Sequence, residues 1–277
     1  MTSVGAPGGN FDLKEEIRSY WSDRSETFDL SAGHRIAPGA EARAWADEIR
    51  ERLGARPLRV LELACGTGEI TGVLHGLGHD VTALDFSEAM LARARAKHAG
   101  KPRLRFVLAD AENTMEPDGA FDAVVCRHLV WTLTDPAAAF ADWRRVLKPG
   151  GTLLIFDGDW ATPTPGGWIA KAIVGVLDRW LGDDATHHAG MPARHDAIMQ
   201  RLPFGEGLRP EQLLPMLRDI GFVDVAAWSP SRIASARRRG ATIRDTLRSL
   251  VYRRFGASAR TIPRPNTAII PDPAESV

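Results

Sequence analysis

Apolar residues in the middle of the chain alternate between two patterns. Short runs that are apolar at nearly every position are typical of strands buried on both faces. Between them lie segments with apolar residues every three or four positions, which are typical of helices that bury one side. The expected strands are residues 58–63, 81–85, 104–108, 121–126 and 152–157. This alternation predicts an α/β fold with a doubly wound, mostly parallel sheet.

Beyond residue 157 the pattern becomes less regular. A helix is expected over residues 167–181, with Ile169, Val176 and Trp180 among its buried residues, and a longer helix over residues 232–254. Further strands at residues 223–227 and 267–270 would complete a seven-stranded sheet. The predicted segments are a disordered start (1–10), an N-terminal helical lid (11–55), a cofactor-binding core (56–157), an inserted helical lid (158–208) and the end of the sheet with a C-terminal segment (209–277).

Composition and charge exclude several classes of protein. The formal net charge of the 277 residues is zero, which gives no overall electrostatic case for binding nucleic acid or a membrane. No apolar run approaches the roughly 20 residues of a membrane span. Cys65 and Cys126 both lie in predicted core segments, so no disulfide framework is expected. These features predict a cytoplasmic protein, either a monomer or a homodimer.

The turn after the first strand is the most informative motif. The strand ends in Glu62-Leu-Ala64-Cys-Gly66-Thr-Gly68, where small residues let backbone approach a ligand closely. Such a turn suits a nucleoside-bearing cofactor at the edge of an α/β sheet. A nicotinamide dehydrogenase also fits strand, turn and helix. However, the G-x-G-x-x-G spacing is absent because Thr71 stands where the third glycine belongs, and a pyrophosphate would be repelled by Glu62.

Four ordered motifs resemble those of class I S-adenosylmethionine-dependent methyltransferases, in particular small-molecule enzymes of the ubiquinone/menaquinone type. They are the turn just described, Asp85 at the end of the second strand, Asp110-Ala111-Glu112 after the third, and Leu147-Lys-Pro-Gly-Gly151 before the fifth. Ala64 replaces the first glycine of the family pattern. The resemblance implies a Rossmann-like fold, S-adenosyl-L-methionine as cofactor and S-adenosyl-L-homocysteine as product.

The resemblance also implies roles for individual residues. Asp85 would bind the ribose hydroxyls, and a carboxylate can accept two hydrogen bonds from such a diol. Asp110 and the amide of Ala111 would read the adenine, with Phe86 packed on its face, and the N-terminal Tyr20 and Arg35 could reach the methionine carboxylate. The predicted cofactor-binding residues are Glu62, Ala64, Gly66, Gly68, Asp85, Phe86, Met90, Asp110, Ala111, Arg127, Tyr20 and Arg35.

The methyl acceptor is expected beside the turn after the fourth strand. His128 is the candidate catalytic residue because an imidazole can take a proton from a phenol or an amine; a hydrogen bond to the backbone is its structural alternative. The predicted substrate-binding residues are Trp131, Asp157, Asp159, Trp160, His187 and His195. The tryptophans Trp160, Trp168 and Trp180 favour a flat, aromatic or heterocyclic acceptor, or serve the core. No metal is expected, because no cysteine or acidic set completes the histidines.

Three functions remain open from the sequence. The first is methyl transfer to O, N or C of a small metabolite. The second is an RNA or protein methyltransferase that uses residues 232–254, which hold eight arginines against one acid. The third is a repurposed, non-catalytic protein that binds S-adenosylmethionine.

Overall fold

A seven-stranded sheet forms the centre of the computed structural model, which describes residues 9–31, 33–181 and 191–263. The strands are β1 (Arg59–Leu63), β2 (Asp80–Asp85), β3 (Leu104–Leu108), β4 (Phe121–Arg127), β5 (Leu147–Pro163), β6 (Val223–Trp228) and β7 (Tyr252–Arg260). Their order in the sheet is β3-β2-β1-β4-β5-β7-β6. All neighbours are parallel except β7, which is antiparallel to both β5 and β6. The predicted doubly wound, mostly parallel fold is confirmed.

Helices cover both faces of this sheet. They are α1 (Gly9–Arg24), α2 (Ala40–Leu53), α3 (Glu69–Gly76), α4 (Glu88–Lys97), α5 (Pro136–Val146), α6 (Pro165–Leu181), α7 (Met191–Met199), α8 (Pro210–Asp219), α9 (Ser231–Arg238) and α10 (Ile243–Val251). Polar side chains fix several of the starts: for example, Ser87 Oγ accepts from the Met90 amide at α4, and Asp135 accepts from the Ala138 amide at α5.

Alternating strand residues divide the core into two layers. Leu61 and Cys126 face one layer, which includes Trp143 of α5, whereas Val60 and Val125 face the other, which includes α2 and α3. Trp143 is fully buried and donates from Nε1 to the Ala111 carbonyl at 2.7 Å. Burial of each such side chain stabilises the fold by about 1.5–3 kcal/mol, so the strand ends are held by a rigid centre.

The expectation of one long helix over residues 232–254 is wrong. Residues 232–254 form two helices and the start of β7, because Gly240 ends the first helical segment and Thr242 Oγ1 caps α10 by accepting from the Asp245 amide. The seventh strand is therefore Tyr252–Arg260, and residues 267–270 lie outside the described part of the chain.

Two further elements differ from expectation. β5 begins at Leu147 and continues to Pro163, beyond the expected 152–157, because it pairs with β4 on one side and β7 on the other. In α6, Ile169, Val176 and Trp180 were expected to be buried but are 66%, 55% and 82% exposed, and the helix packs against α10 through its other side. Within the described residues, we found no helix with the length and apolarity needed to cross a membrane.

Candidate active site

A cleft of about 340 Å³ lies at the carboxyl ends of β1, β2 and β4, the edge where α/β sheets bind ligands. α1 forms one wall through Lys14, Ile17 and Trp21. Two arginines hold α1 in place: Arg194 of α7 pairs with Asp23 at 2.8 Å, and Arg201, in the turn after α7, pairs with Glu16. The N-terminal helix is thus fastened over the cleft, as a lid would be.

The turn after β1 brings backbone into this cleft. Ala64, Gly66 and Gly68 all have positive φ, at 50°, 55° and 83°. A Cβ added to Gly66 would come within 3.7 Å of the Phe28 ring across the cleft, so a longer side chain would fill the space. Ala64 adopts the left-handed conformation despite its Cβ, which costs roughly 1 kcal/mol. Ala64 and Gly66 therefore line a concave backbone surface.

Gly68 faces away from the cleft. A Cβ there would lie 2.8 Å from His98 Nε2, and the Gly68 carbonyl is hydrogen-bonded to the same ring at 2.7 Å. Close packing against His98, which follows α4, explains why a glycine is needed here. Gly68 is not among the residues that line the cleft. Its predicted contact with a cofactor has no support from its position.

Two buried carboxyl groups line the floor of the cleft. Asp85 accepts from the Gly66 amide at 2.8 Å and the Ser87 amide at 2.9 Å, so it joins the turn to α4. Burial raises the pKa of Asp85 to about 6, against the effect of these hydrogen bonds. Glu62 accepts from Thr71 Oγ1 at 2.6 Å, and burial raises its pKa to about 8. Each carboxyl keeps acceptor capacity for a ligand.

Asp110 lies beyond β3 and is engaged by the lid. Lys14 Nζ lies 2.7 Å from Asp110 and 2.8 Å from Glu112. Asp110 also accepts from the Glu112 amide at 2.8 Å, which fixes its carboxylate at the cleft edge. The adjacent predicted residues Phe86, Met90 and Ala111 line the cleft as well. This side of the cleft therefore brings together most of the residues predicted to bind the cofactor.

Arg127 fastens the segment after α1 to the end of β4. Its guanidinium donates to the His34 carbonyl at 3.0 Å and to the Gly33 carbonyl. Burial and the nearby Arg237 lower the pKa of Arg127 to about 9. Arg127 lines the cleft, but two of its donors are used by the chain itself.

His128 projects into the cleft from a strained position. Its φ is 58°, which is uncommon for a residue other than glycine, and its amide donates to the Phe156 carbonyl at 2.9 Å. The ring lies 4.8 Å from Trp160. Burial, followed by the charge of Arg127, lowers the pKa of His128 well below its usual value, so the imidazole is neutral at physiological pH.

Aromatic side chains form the wall opposite the turn. Trp131 lies 6.1 Å from Trp21 and 5.6 Å from His195, with the distances measured between ring centroids. Phe28 and His34 stack at 4.2 Å near the turn. The predicted residues Trp131, Trp160 and His195 thus line one cleft although they come from three distant segments.

The two predicted aspartates after β5 support the wall from behind. Asp157 accepts from the Val130 amide and from Trp160 Nε1, both at 2.9 Å, and burial raises its pKa to about 7. Asp159 accepts from the Thr162 amide and pairs with Arg209 at 3.1 Å. Neither carboxylate lines the cleft, so both position other residues.

Other predicted residues lie elsewhere. Tyr20 is buried against Trp21 and His195 in the core, and Arg35 is exposed; neither lines the cleft. His187 and its neighbour His188 lie outside the described residues. Trp168 and Trp180 are exposed on α6, away from the cleft.

Several lining residues were not predicted from the sequence. They are mainly basic or lie on the lid: Lys14, Arg24, His34, Tyr252 and Arg254. Sequence pattern offers no signal for Arg254, because its place in the cleft depends on β7 pairing with β5. Other arginines of the basic segment pair with acids on neighbouring elements, as Arg237 does with Glu41 and Arg232 with Glu51. The predicted basic stripe is therefore divided among α9, α10 and β7.

Comparisons with known proteins agree with this geometry. The family model described as a methyltransferase domain matches residues 61–155. A demethylmenaquinone methyltransferase from Clavibacter sepedonicus is 36% identical over 54% of this chain, and the match spans 58% of that relative, less than two thirds of its length. A demethylmenaquinone methyltransferase from Renibacterium salmoninarum is 31% identical over 76% of this chain and 86% of its own length.

A solved structure shows the same fold at low sequence identity. Phosphoethanolamine N-methyltransferase 2 from Haemonchus contortus, in complex with S-adenosyl-L-methionine, superposes with a TM-score of 0.59 and 16% identity. The superposition covers 87% of this chain and 57% of the other. At this identity the likeness concerns the fold alone.

Proposed function

We propose that this chain, which belongs to the class I S-adenosylmethionine-dependent methyltransferases, methylates a ring carbon of a small aromatic acceptor of the hydroquinone type. The observation that carries the proposal is a single cleft with acids on one side and an aromatic wall on the other. The names of the matched relatives, which are demethylmenaquinone methyltransferases, support a ring of this kind.

The residues on the acidic side suit the cofactor that the family uses. When bound, S-adenosylmethionine supplies an electrophilic methyl group on a sulfonium ion. The backbone at Ala64 and Gly66 leaves room for its amino-acid end, and Phe28 limits that space. We assign the ribose hydroxyls to Asp85 and the adenine amine to Asp110, each a carboxylate with free acceptor capacity. Arg24, which lines the cleft, is better placed than Arg35 for the methionine carboxylate.

The chain's contribution to methyl transfer would be alignment and exclusion of water. The clamp between α1 and α7 keeps Trp21 over the cleft, and Arg127 holds the following segment against β4. Trp131 and Trp160 present flat apolar surfaces on which an aromatic ring can stack. Trp160 is fixed in turn by Asp157. These contacts would restrict the ring to one orientation.

His128 is proposed as the hydrogen-bonding partner of an acceptor hydroxyl. No hydrogen bond to its ring is made by another described side chain, which leaves the ring nitrogens open to a ligand. The depressed pKa makes a neutral ring that is a weak base. We therefore expect His128→Asn, which suits the positive φ at this position, to slow transfer by about tenfold rather than the 10²-fold or more of a lost general base.

A matched pair of acceptors tests the proposal. Purified protein is incubated with S-adenosylmethionine and reduced 1,4-naphthohydroquinone, and release of S-adenosylhomocysteine is measured. We expect turnover with this probe and little with 2,3-dimethyl-1,4-naphthohydroquinone, whose reactive ring carbons are blocked.

Equal turnover of the two probes would indicate methylation of oxygen and contradict transfer to carbon. Binding of S-adenosylhomocysteine without turnover of either probe would contradict the proposed acceptor. Failure to bind the cofactor at all, measured by calorimetry, would contradict the catalytic proposal as a whole. His128→Asn serves as the graded control, because it should reduce the rate without changing the preference between probes.

A further inference from the structure

Three arginines line the cleft without a carboxylate partner. They are Arg24 on α1, Arg127 at the end of β4 and Arg254 on β7. Arg24 donates to Ser31 Oγ, and Arg127 donates to two backbone carbonyls. Among the described residues no Asp or Glu forms an ion pair with any of the three, and the Nε atom of each is buried without a hydrogen-bond partner. No ion pair with a described acid therefore neutralises these charges, although Glu41 and Glu69 act on Arg127 from a distance.

Among the described residues, the Arg254 side chain makes fewer hydrogen bonds than those of Arg24 and Arg127. Its guanidinium lies over the Trp160 ring, with 5.5 Å from the guanidinium carbon to the ring centroid. Its Nη2 atom and Arg237 Nη1 both lie 3.3 Å from the position that a Cβ on Gly33 would occupy. Glu41, the nearest acid that acts on this pair, already accepts from Arg237 Nε at 2.8 Å. Two guanidinium groups thus converge where one carboxylate is present.

Such an arrangement is costly without a ligand. An arginine removed from water usually gains an anion or a full set of hydrogen bonds, because the loss of hydration costs several kcal/mol. Here burial, with the charge of Arg237, lowers the pKa of Arg254 to about 10, which reflects that cost. A buried charge that is left unpaired in a cleft is typical of a site whose partner is the ligand.

The position of Arg254 favours the acceptor over the cofactor. β7 is separated from β1 by β4 and β5, so the Arg254 backbone lies about 14 Å from the turn that follows β1 at ordinary strand spacing. Its neighbours in the cleft are Trp160, Tyr252 and His128, which belong to the aromatic wall. A second cavity behind this wall also contains Arg254, Tyr252 and His128. The charge of Arg254 therefore lies beside the proposed acceptor ring.

We propose that Arg254 binds an anionic oxygen of the methyl acceptor. This inference rests on the proposed function, since it concerns the acceptor half of the same cleft. The oxygen could be an ionised hydroxyl of the ring or a separate carboxylate, and a guanidinium donates hydrogen bonds to either. In the first case Arg254 stabilises the nucleophilic form of the ring after the hydroxyl proton has left to solvent. A ring carbon then bonds to the methyl group as the methyl–sulfur bond breaks, and the proton on that carbon is lost as the ring regains aromaticity.

Two pairs of probes distinguish these sources. Protein saturated with S-adenosylhomocysteine is titrated with benzoate and its neutral isostere benzamide, and with 4-nitrophenol and 4-nitroanisole. We expect one anionic probe to bind about tenfold more tightly than its neutral partner. If the source is a hydroxyl, the absorbance of bound 4-nitrophenol should show its pKa lowered by about one unit. If it is a carboxylate, benzoate alone should be preferred.

Variants connect the preference to Arg254. Arg254→Met should abolish it, and Arg254→Lys should retain part of it. The matched control is Arg238→Met, which removes an equal charge from an exposed position on α9. Affinity for S-adenosylhomocysteine should change less than twofold in all three variants, and thermal unfolding checks that each is folded.

Three results would overturn the inference. They are equal binding of anionic and neutral probes by the wild-type protein, an unchanged preference in Arg254→Met, and a tenfold loss of S-adenosylhomocysteine affinity in that variant. The last would assign Arg254 to the cofactor. Failure of the proposed function is separate, because it appears as absent cofactor binding or absent turnover of naphthohydroquinone.

Discussion

The two halves of the cleft carry opposite charges and are built in different ways. On one side the carboxyl groups of Glu62, Asp85 and Asp110 stand at the ends of three neighbouring strands. On the other side Arg127 and Arg254 come from β4 and β7. A cationic methyl donor suits the first half and an anionic acceptor suits the second. The separation of charge would therefore place the two reactants in a fixed order.

The halves also differ in what supports them. Asp85 is held by backbone amides a few residues away in sequence or across one turn, so local structure fixes its carboxylate. The aromatic and basic half depends on contacts between distant segments, such as Trp131 with His195 and Gly33 with Arg254. We infer that Asp85 keeps its position when α1 changes, whereas the acceptor half can vary among proteins that share the same sheet.

The largest effect is expected from breaking the acidic half. Asp85→Ala removes charged hydrogen bonds to the cofactor, and we expect it to weaken binding of S-adenosylmethionine by about 1.5–3 kcal/mol, or about 10- to 150-fold. Isothermal titration calorimetry measures this loss. The preference for anionic over neutral probes in the acceptor half should remain.

A matched variant separates cofactor binding from loss of a strand contact. Asp122→Ala also removes an aspartate that accepts from a backbone amide, that of Arg59, but Asp122 lies at the amino end of β4, away from the cleft. Its cofactor affinity should equal that of the wild-type protein. Equal losses in both variants would contradict the ribose role of Asp85.

Residues on the acidic side of the cleft could be placed at its edge from the sequence because their signals are local. The apolar run of β1, the small residues at 64–66, and Asp85 before the Ser87 cap lie within two successive strand-turn-helix units. At Gly68 the sequence does not distinguish two causes, since a glycine needed for close packing on His98 looks the same as one needed for a ligand. Periodicity identifies an element, but it does not show which neighbour requires a given small residue.

The positions of most residues in the acceptor half could not be predicted from the sequence, because they depend on contacts between distant segments. Arg254 belongs to the segment expected to be helical, and its position follows from a long-range antiparallel pairing with Gly158. Asp157 and Asp159 were expected to contact the acceptor, but they do not line the cleft, and their partners Trp160 and Arg209 are not revealed by pattern alone. Contacts between distant segments are decided by packing, and no local rule predicts them.

A smaller effect is expected when a change of pH alters the charge of the acidic half. Glu62 and Asp85 have pKa values raised to about 8 and about 6, so they are protonated at low pH and ionise as the pH rises. S-adenosylmethionine and S-adenosylhomocysteine share the amino-acid end and differ by the sulfonium charge. The ratio of their affinities should therefore shift toward S-adenosylmethionine by about threefold to tenfold between pH 5.5 and pH 8.

The stability of the free protein should fall over the upper part of this range. The pKa values of Glu62 and Asp157 are raised to about 8 and about 7 on folding, so above about pH 7 the folded state holds more protons and the free energy of unfolding falls as the pH rises toward 8. Below about pH 7 the buried histidines, whose pKa values are lowered, have the opposite effect. Thermal unfolding with and without S-adenosylmethionine measures both trends. An affinity ratio that is independent of pH would contradict the electrostatic role of the acidic half.

The smallest effect is expected for the arginine that binds the methionine carboxylate. The sequence predicts Arg35 for this role, whereas in the structure Arg24 lines the cleft. Arg35 is exposed and does not line the cleft, so Arg35→Ala should change the affinity for S-adenosylhomocysteine by less than about 0.5 kcal/mol. Arg24→Ala should weaken it more, because Arg24 lines the cleft and its Nε has no partner. Calorimetry on the two variants ranks them directly. If Arg35→Ala caused the larger loss, the methionine carboxylate would be assigned to Arg35 and Arg24 would be assigned to the acceptor. The acceptor half of the cleft would then include the end of α1.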